Sequence, residues 1–136
     1  MNNSIKHFII IDDDSVNNMI CKMVINAALP SASVRTYTHA KEALMGVKAD
    51  FTSPQKEKVI ILLDINMPEM SGWDFLQALE ENEHLIHEGF MIFMASSSVN
   101  PEDKQRANSN PHVIDFIEKP LTKEIVLKLS SNYLTV

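Results

Sequence analysis

The chain has little of several things that would point to other classes of protein. Its single cysteine, Cys21, cannot form an internal disulfide, and a reducing cytosol is the simplest home for it. It carries 12 Lys and Arg against 18 Asp and Glu, a formal net charge of −6, with no cluster of basic residues. That balance argues against a surface built to hold nucleic acid. There is no long apolar run: Phe8 to Ile11 falls far short of the roughly 20 residues of a membrane span. The opening stretch, Met1 to His7, lacks the apolar segment of a signal peptide. These absences predict a cytoplasmic protein with neither a membrane nor a nucleic acid as partner. No internal repeat, low-complexity tract or linker is present. With 136 residues, 45% hydrophobic and 22% charged, the chain suits one ordinary globular domain over residues 1–136, its core spanning about 6–134.

What is there is an alternation of short apolar runs with helical patterns. Phe8 to Ile11 is continuously apolar and β-branched, as a strand buried on both faces would be, and it ends in Asp12-Asp13-Asp14-Ser15. Apolar residues then recur at helical spacing at Val16, Ile20, Met23, Val24 and Ala27, and Pro30 closes the segment. Ser33 to Tyr37 suits a second strand, and Thr38 is placed to cap a helix carrying Ala40, Ala43, Leu44 and Val47. After a polar stretch, Thr52 to Lys58, the run Val59 to Leu63 reads as a third strand ending at Asp64. A loop from Asn66 to Gly72 leads into a helix with Trp73, Phe75, Leu76 and Leu79. Phe90 to Met94 forms a fourth strand before Ser96-Ser97-Ser98, and a short helix follows Pro101. Val113 to Ile117 is the fifth strand, and Leu121 to Tyr133 the last helix, with Ile125, Val126 and Leu129 inward. Strands alternating with helices in this way call for an α/β fold, a parallel sheet covered on both faces.

The carboxyl ends of the strands in such a sheet share one edge, where the binding crevice lies. Here those ends carry Asp12 and Asp13, Asp64, Ser96, and Glu118-Lys119-Pro120. Clustered carboxylates repel one another unless a cation joins them, and an all-oxygen site suits Mg²⁺. A lysine and a hydroxyl can hold the oxygens of a phosphoryl group, and a carboxylate can accept one as an acyl phosphate. The set therefore predicts a phosphoryl-accepting centre with Asp64 as the nucleophile.

Three stretches together resemble the receiver domains of two-component response regulators: Phe8 to Ser15, Leu62 to Gly72 (Leu-Leu-Asp-Ile-Asn-Met-Pro-Glu-Met-Ser-Gly), and Phe116-Ile117-Glu118-Lys119-Pro120. The resemblance covers almost the whole chain. It implies a flavodoxin-like, doubly wound (βα)5 fold with a five-stranded parallel sheet in the order 2-1-3-4-5, of the stand-alone type with no output domain. It implies Asp64 as phosphoacceptor, with Mg²⁺ held by Asp12, Asp13, Asp64 and the backbone carbonyl of Asn66. Ser96 and Lys119 would bind the phosphoryl group, and the bond to Pro120 would be cis. Ser96 and Phe116 would form the switch, Phe116 standing where the family often has Tyr, while Asn66 and Ser98 would tune the phosphorylated lifetime. The implied partners are a sensor histidine kinase or a histidine phosphotransfer protein, and a downstream protein on the face of the fourth helix, fifth strand and fifth helix. The implied role is a signalling receiver in a phosphorelay rather than an enzyme.

Other readings compete at single positions. Asp12-Asp13-Asp14 also fits the start of a helix, with Asp14 a solvated first-turn residue. The same run matches the opening motif of haloacid-dehalogenase phosphohydrolases, with Asp12 as nucleophile and Asp14 as acid/base, although that leaves Asp64 and Met67-Pro68 unexplained. A receiver-like module that binds partners without phosphorylation is the third possibility. Phe116 is expected in the core, Trp73 as packing or surface cover, and Met19, Met23, Met91 and Met94 as packing. The histidines at positions 7, 39, 84, 87 and 112 are scattered, and the pair His84 and His87 lacks a third metal ligand.

Overall fold

The apolar runs of the sequence are the strands. In a computed structural model, which describes residues 7–50, 59–81, 90–98 and 100–134, they are β1 (His7–Ile11), β2 (Ser33–Tyr37), β3 (Val59–Asp64), β4 (Phe90–Ser96) and β5 (Val113–Glu118). Between and after them come α1 (Ser15–Ala28), α2 (Ala40–Asp50), α3 (Gly72–Glu80), α4 (Pro101–Ser109) and α5 (Lys123–Leu129). All pairings are parallel, and the strand order is β2-β1-β3-β4-β5. This is the expected doubly wound flavodoxin-like sheet. The predicted stretch Thr52 to Lys58, the pair His84 and His87, and most of the opening segment lie outside the described residues.

Alternation along the strands divides the interior into two cores. Ile9, Ile11, Ile61, Leu63, Ile92 and Met94 face α2, α3 and α4. Phe8, Ile10, Ile60, Leu62 and Phe93 face α1 and α5. β3 is buried at every residue, as a central parallel strand should be. Phe75 and Leu76 of α3 are fully buried, and each such side chain contributes roughly 1.5–3 kcal/mol. Ser71 and Asp74 form a reciprocal capping box that starts α3, and Asn100 caps α4 ahead of Pro101.

Between Ile92 and Phe93 of β4, the partner strand β5 carries one extra residue: Val113 pairs with Ile92, and Asp115 with Phe93. Ile114 is the inserted residue of this β-bulge and is exposed. Beyond it, Phe116 packs on the α2–α4 side and Ile117 on the α1–α5 side.

Several local expectations are corrected. Of the apolar stripe expected along α1, Val24 packs against the core, but Ala27 is exposed and Val16, Ile20 and Met23 are 56%, 46% and 65% exposed, as is Met19 at 56%; Cys21, Ile25 and Asn18 lie inside instead. Met19 and Met23 are therefore not packing residues. The Ala43 N–H bonds to the His39 carbonyl, so His39 rather than Thr38 occupies the capping position of α2. The last helix starts after its cap Thr122, not at Leu121, and continues past Leu129 as a π-helical turn, Ser130–Leu134. Phe116 is half-buried rather than fully in the core.

Candidate functional site

Four strand ends meet at one edge of the sheet. Asp12 follows β1 directly and is 2% exposed; Asp64 is the last residue of β3 and 5% exposed. Ser96, buried, is the last residue of β4. Lys119 follows β5, and its N–H bonds to the Ser96 carbonyl at 2.9 Å. Its ammonium bridges two carboxylates, touching Oδ2 of Asp12 and lying 3.0 Å from Oδ1 of Asp64. Exposed Asp13 completes the acidic group: one carboxylate oxygen from each of Asp12, Asp13 and Asp64 lies within 4.8 Å of the others. The Lys119–Pro120 peptide bond is cis.

The local sequence explains the loops that hold these groups. Asp14 is the N-cap of α1, its carboxylate accepting from the N–H groups of Val16 and Asn17, so the third aspartate of the run is a helix cap and not a solvated first-turn residue. After Asp64, the Ile65 N–H bonds to the Ala95 carbonyl and the Gly72 N–H returns to the Ile65 carbonyl, closing the loop that contains Asn66. Gly72 is required there. A Cβ on it would stand 2.4 Å from the Asp64 carbonyl oxygen.

Burial in this crevice pushes the Asp64 carboxyl up to about 6; the Lys119 bond opposes the rise, and the charges of Asp12 and Asp13 add to it. Burial works against the charge on Lys119 as well, but its bonds to Asp12 and Asp64 outweigh that and raise its pKa above the ordinary lysine value. The site thus crowds more negative charge than one lysine relieves. Hard carboxylate oxygens in this number and proximity fit a small divalent cation such as Mg²⁺.

The structure brings Asp12, Asp13, Asp64, Ser96 and Lys119 to the same edge. Ser98, exposed beside them, donates its N–H to Ser96 Oγ at 3.1 Å. Asn66 is exposed in the loop two residues past Asp64. Phe116 is not at the carboxylates; it lies on the other side of the sheet and lines a groove of about 570 Å³ with Pro120, Ile125 and Leu129. A second cleft, of about 370 Å³, opens beside Asp13 between Thr38, His39, Met67 and Glu69.

Two residues were missed in the sequence. The Asn17 carboxamide donates to Asp12 Oδ2 at 2.8 Å, and buried Asn18 donates to the backbone carbonyls of Asp12 and Tyr37 at 2.9 and 3.3 Å. The available signal was two successive asparagines at the start of an otherwise apolar helix, just after the acidic run.

Comparison with known proteins agrees with this geometry. The profile of the family described as "Response regulator receiver domain" matches residues 8–130. The chain is 30% identical over 115 residues to "Two-component response regulator ORR13" of Oryza sativa subsp. japonica, covering 85% of this chain and 87% of that one. It is 33% identical over 114 residues to a Vibrio cholerae protein named "Probable cyclic di-GMP phosphodiesterase", covering 84% of this chain but only 23% of that protein. Among solved structures, a two-component response regulator from Cytophaga hutchinsonii superimposes with a TM-score of 0.84 at 23% identity, covering 94% of this chain and 96% of that one, which is a likeness of fold.

Proposed function

This chain belongs to the response regulator receiver domain family, and on that premise we propose that it accepts a phosphoryl group on Asp64 in a two-component phosphorelay. The observation that carries the reading is the placement of Asp64: buried at a strand end, 3.0 Å from the Lys119 ammonium, and gathered with Asp12 and Asp13. The donor is a phosphohistidine of a sensor kinase or of a histidine phosphotransfer protein. A carboxylate oxygen of Asp64 forms the new P–O bond as the P–N bond breaks, and the imidazole leaves with the bonding pair and takes a proton.

Asp12, Asp13, Asp64 and the backbone carbonyl of Asn66 would hold Mg²⁺, which supplies neutralisation of the charge on the transferring group. Lys119 and Ser96 bind phosphoryl oxygens. Ser96 and Phe116 form the switch, since the added charge draws the Ser96 hydroxyl and alters the space next to Phe116. Asn66 and Ser98, at the rim, tune how long the phosphorylated state lasts. The downstream partner binds the face formed by α4, β5 and α5, where Phe116 lines its groove. The role is signalling in the cytoplasm, and no helix among the described residues is long and apolar enough to cross a membrane. The activity named for the Vibrio relative is not carried over, because the match covers 23% of that protein.

Incubation with acetyl phosphate and Mg²⁺, followed by peptide mapping, should place the label on Asp64 and lose it in Asp64→Asn. Label on Asp12, or turnover of phosphate monoesters, would overturn the reading in favour of a phosphohydrolase. Partner binding that is indifferent to Asp64→Asn would favour a module that works without phosphorylation.

A further inference from the structure

The carboxylate of Asp12 is held by three donors. Oδ1 accepts the Asp14 N–H at 2.9 Å; Oδ2 accepts the Asn17 carboxamide at 2.8 Å and also the Lys119 ammonium. The first two come from the turn that opens α1 and from its first turn. The third sits at the tip of a long side chain that Asp12 shares with Asp64.

We propose that Asn17 is a positioning residue for the cation site, keeping the Asp12 carboxylate in place when Lys119 turns away from it. The inference rests on the phosphoryl-accepting reading, in which Lys119 serves two states. With Asp64 unmodified it bridges Asp12 and Asp64; with a phosphoryl group present it is drawn to that group. Asp12 then loses one of its two side-chain donors while a cation still requires its oxygen in the same position.

A carboxamide suits this role better than a second basic group. It is neutral, so it orients the carboxylate by a hydrogen bond and leaves its negative charge available to a cation. It neither titrates nor competes with the cation by charge, as Lys119 does. Its reach is short and its origin is the first turn of α1, itself fixed by the Asp14 cap and by the bonds from Asn18 to the Asp12 and Tyr37 carbonyls. The hydrogen bond therefore depends on no group that moves with the phosphoryl. Outer hydrogen-bond partners of this kind commonly alter metal affinity by about tenfold or more when removed.

The test measures Mg²⁺ affinity by titration calorimetry on the unphosphorylated protein. The variants are Asn17→Ala and Asn17→Leu, each in the wild-type background and in Lys119→Ala, with unfolding midpoints recorded in metal-free buffer to confirm that every variant folds. Leu keeps the size of Asn without the donor, so agreement between the two variants isolates the hydrogen bond. The expected result is a loss of about threefold in the wild-type background, where Lys119 still holds Oδ2, and about tenfold in Lys119→Ala, where Asn17 is its last side-chain donor. Equal factors in the two backgrounds, or no loss in either, would overturn the assignment, because a merely structural asparagine would not depend on Lys119. Wild-type protein that fails to bind Mg²⁺ would overturn the phosphoryl-accepting reading along with it.

Discussion

Lys119 lies 3.0 Å from Asp64 across the ends of two strands that are not neighbours in the sheet, with β4 between them. The pair is mostly shielded from solvent, with side-chain exposures of 19% for Lys119 and 6% for Asp64. Removing one partner of a buried pair exposes the other to an uncompensated environment. Lys119→Ala should therefore cost about 2 kcal/mol in the metal-free protein at neutral pH, less than a fully buried pair would because the lysine is partly wet. The same substitution in Asp64→Asn should cost less, with a coupling of about 1–2 kcal/mol in a urea double-mutant cycle. Additive effects would show that the two groups do not interact.

A raised carboxyl pKa has a definite sign in stability. The folded state favours the protonated form of Asp64, so its ionisation lowers stability as pH rises from the ordinary carboxylate range through about 6, and the cost is complete above that. Asp64→Asn should accordingly be more stable than wild type at pH 7 without metal, by about 1–2 kcal/mol after discounting for solvent screening. The advantage should vanish below about pH 4, where both states of the wild type are protonated. Thermal melts across this pH series check it, and a variant no more stable than wild type at pH 7 would refute the cause assigned to the shift.

Gly72→Ala places a methyl group against backbone rather than against a movable side chain, 2.4 Å from the Asp64 carbonyl oxygen and 3.0 Å from the Ile65 Cα. The loop must shift. Destabilisation of about 2–4 kcal/mol is expected, together with slower labelling of Asp64 by a small phosphodonor. Unchanged labelling in protein that remains folded would mean that the loop can move without displacing the aspartate.

The two faces of α1 should respond unequally to substitution. Met19→Lys and Met23→Lys lie on the exposed side and should change denaturant stability by less than about 0.5 kcal/mol. Ile25→Ala, fully buried, should cost about 2–4 kcal/mol. A comparable loss at Met23 would return that residue to the interior.

The contrast in α1 also shows where sequence reasoning succeeds and where it stops. Asp12, Asp64, Ser96 and Lys119 were found because apolar runs mark the strands and each run ends at a polar residue, which locates the edge without any side-chain detail. The inner face of α1 was not legible. Apolar residues occur nearly all round that helix, so periodicity alone does not choose a side, and the side chosen includes a polar residue, Asn18, at 3% exposure. Its burial follows from two carbonyls, of Asp12 and Tyr37, that only the assembled sheet brings together. Asn17 escaped notice for the same reason. The half-burial of Phe116 depends on an edge strand whose neighbours a linear pattern does not show.

The bulge in β5 has a consequence for the chemistry that is best put as parity. Along β1 and β3 the even-numbered residues Ile10 and Leu62 face α1 and α5, and Asp12 and Asp64 continue that parity. On β5 the odd-numbered Ile117 faces that way, because Ile114 inserts one extra residue opposite β4. Lys119 keeps the parity of Ile117 and emerges on the side of the two aspartates. Deleting Ile114 would leave Val113 opposite Ile92 and Asp115 opposite Phe93, an unbroken ladder in which the lysine still emerges beside its carboxylates. The inserted residue is thus absorbed as a bulge, which is why Val113 and Ile117, both odd-numbered, face opposite cores while the charge arrangement at the far end keeps its side.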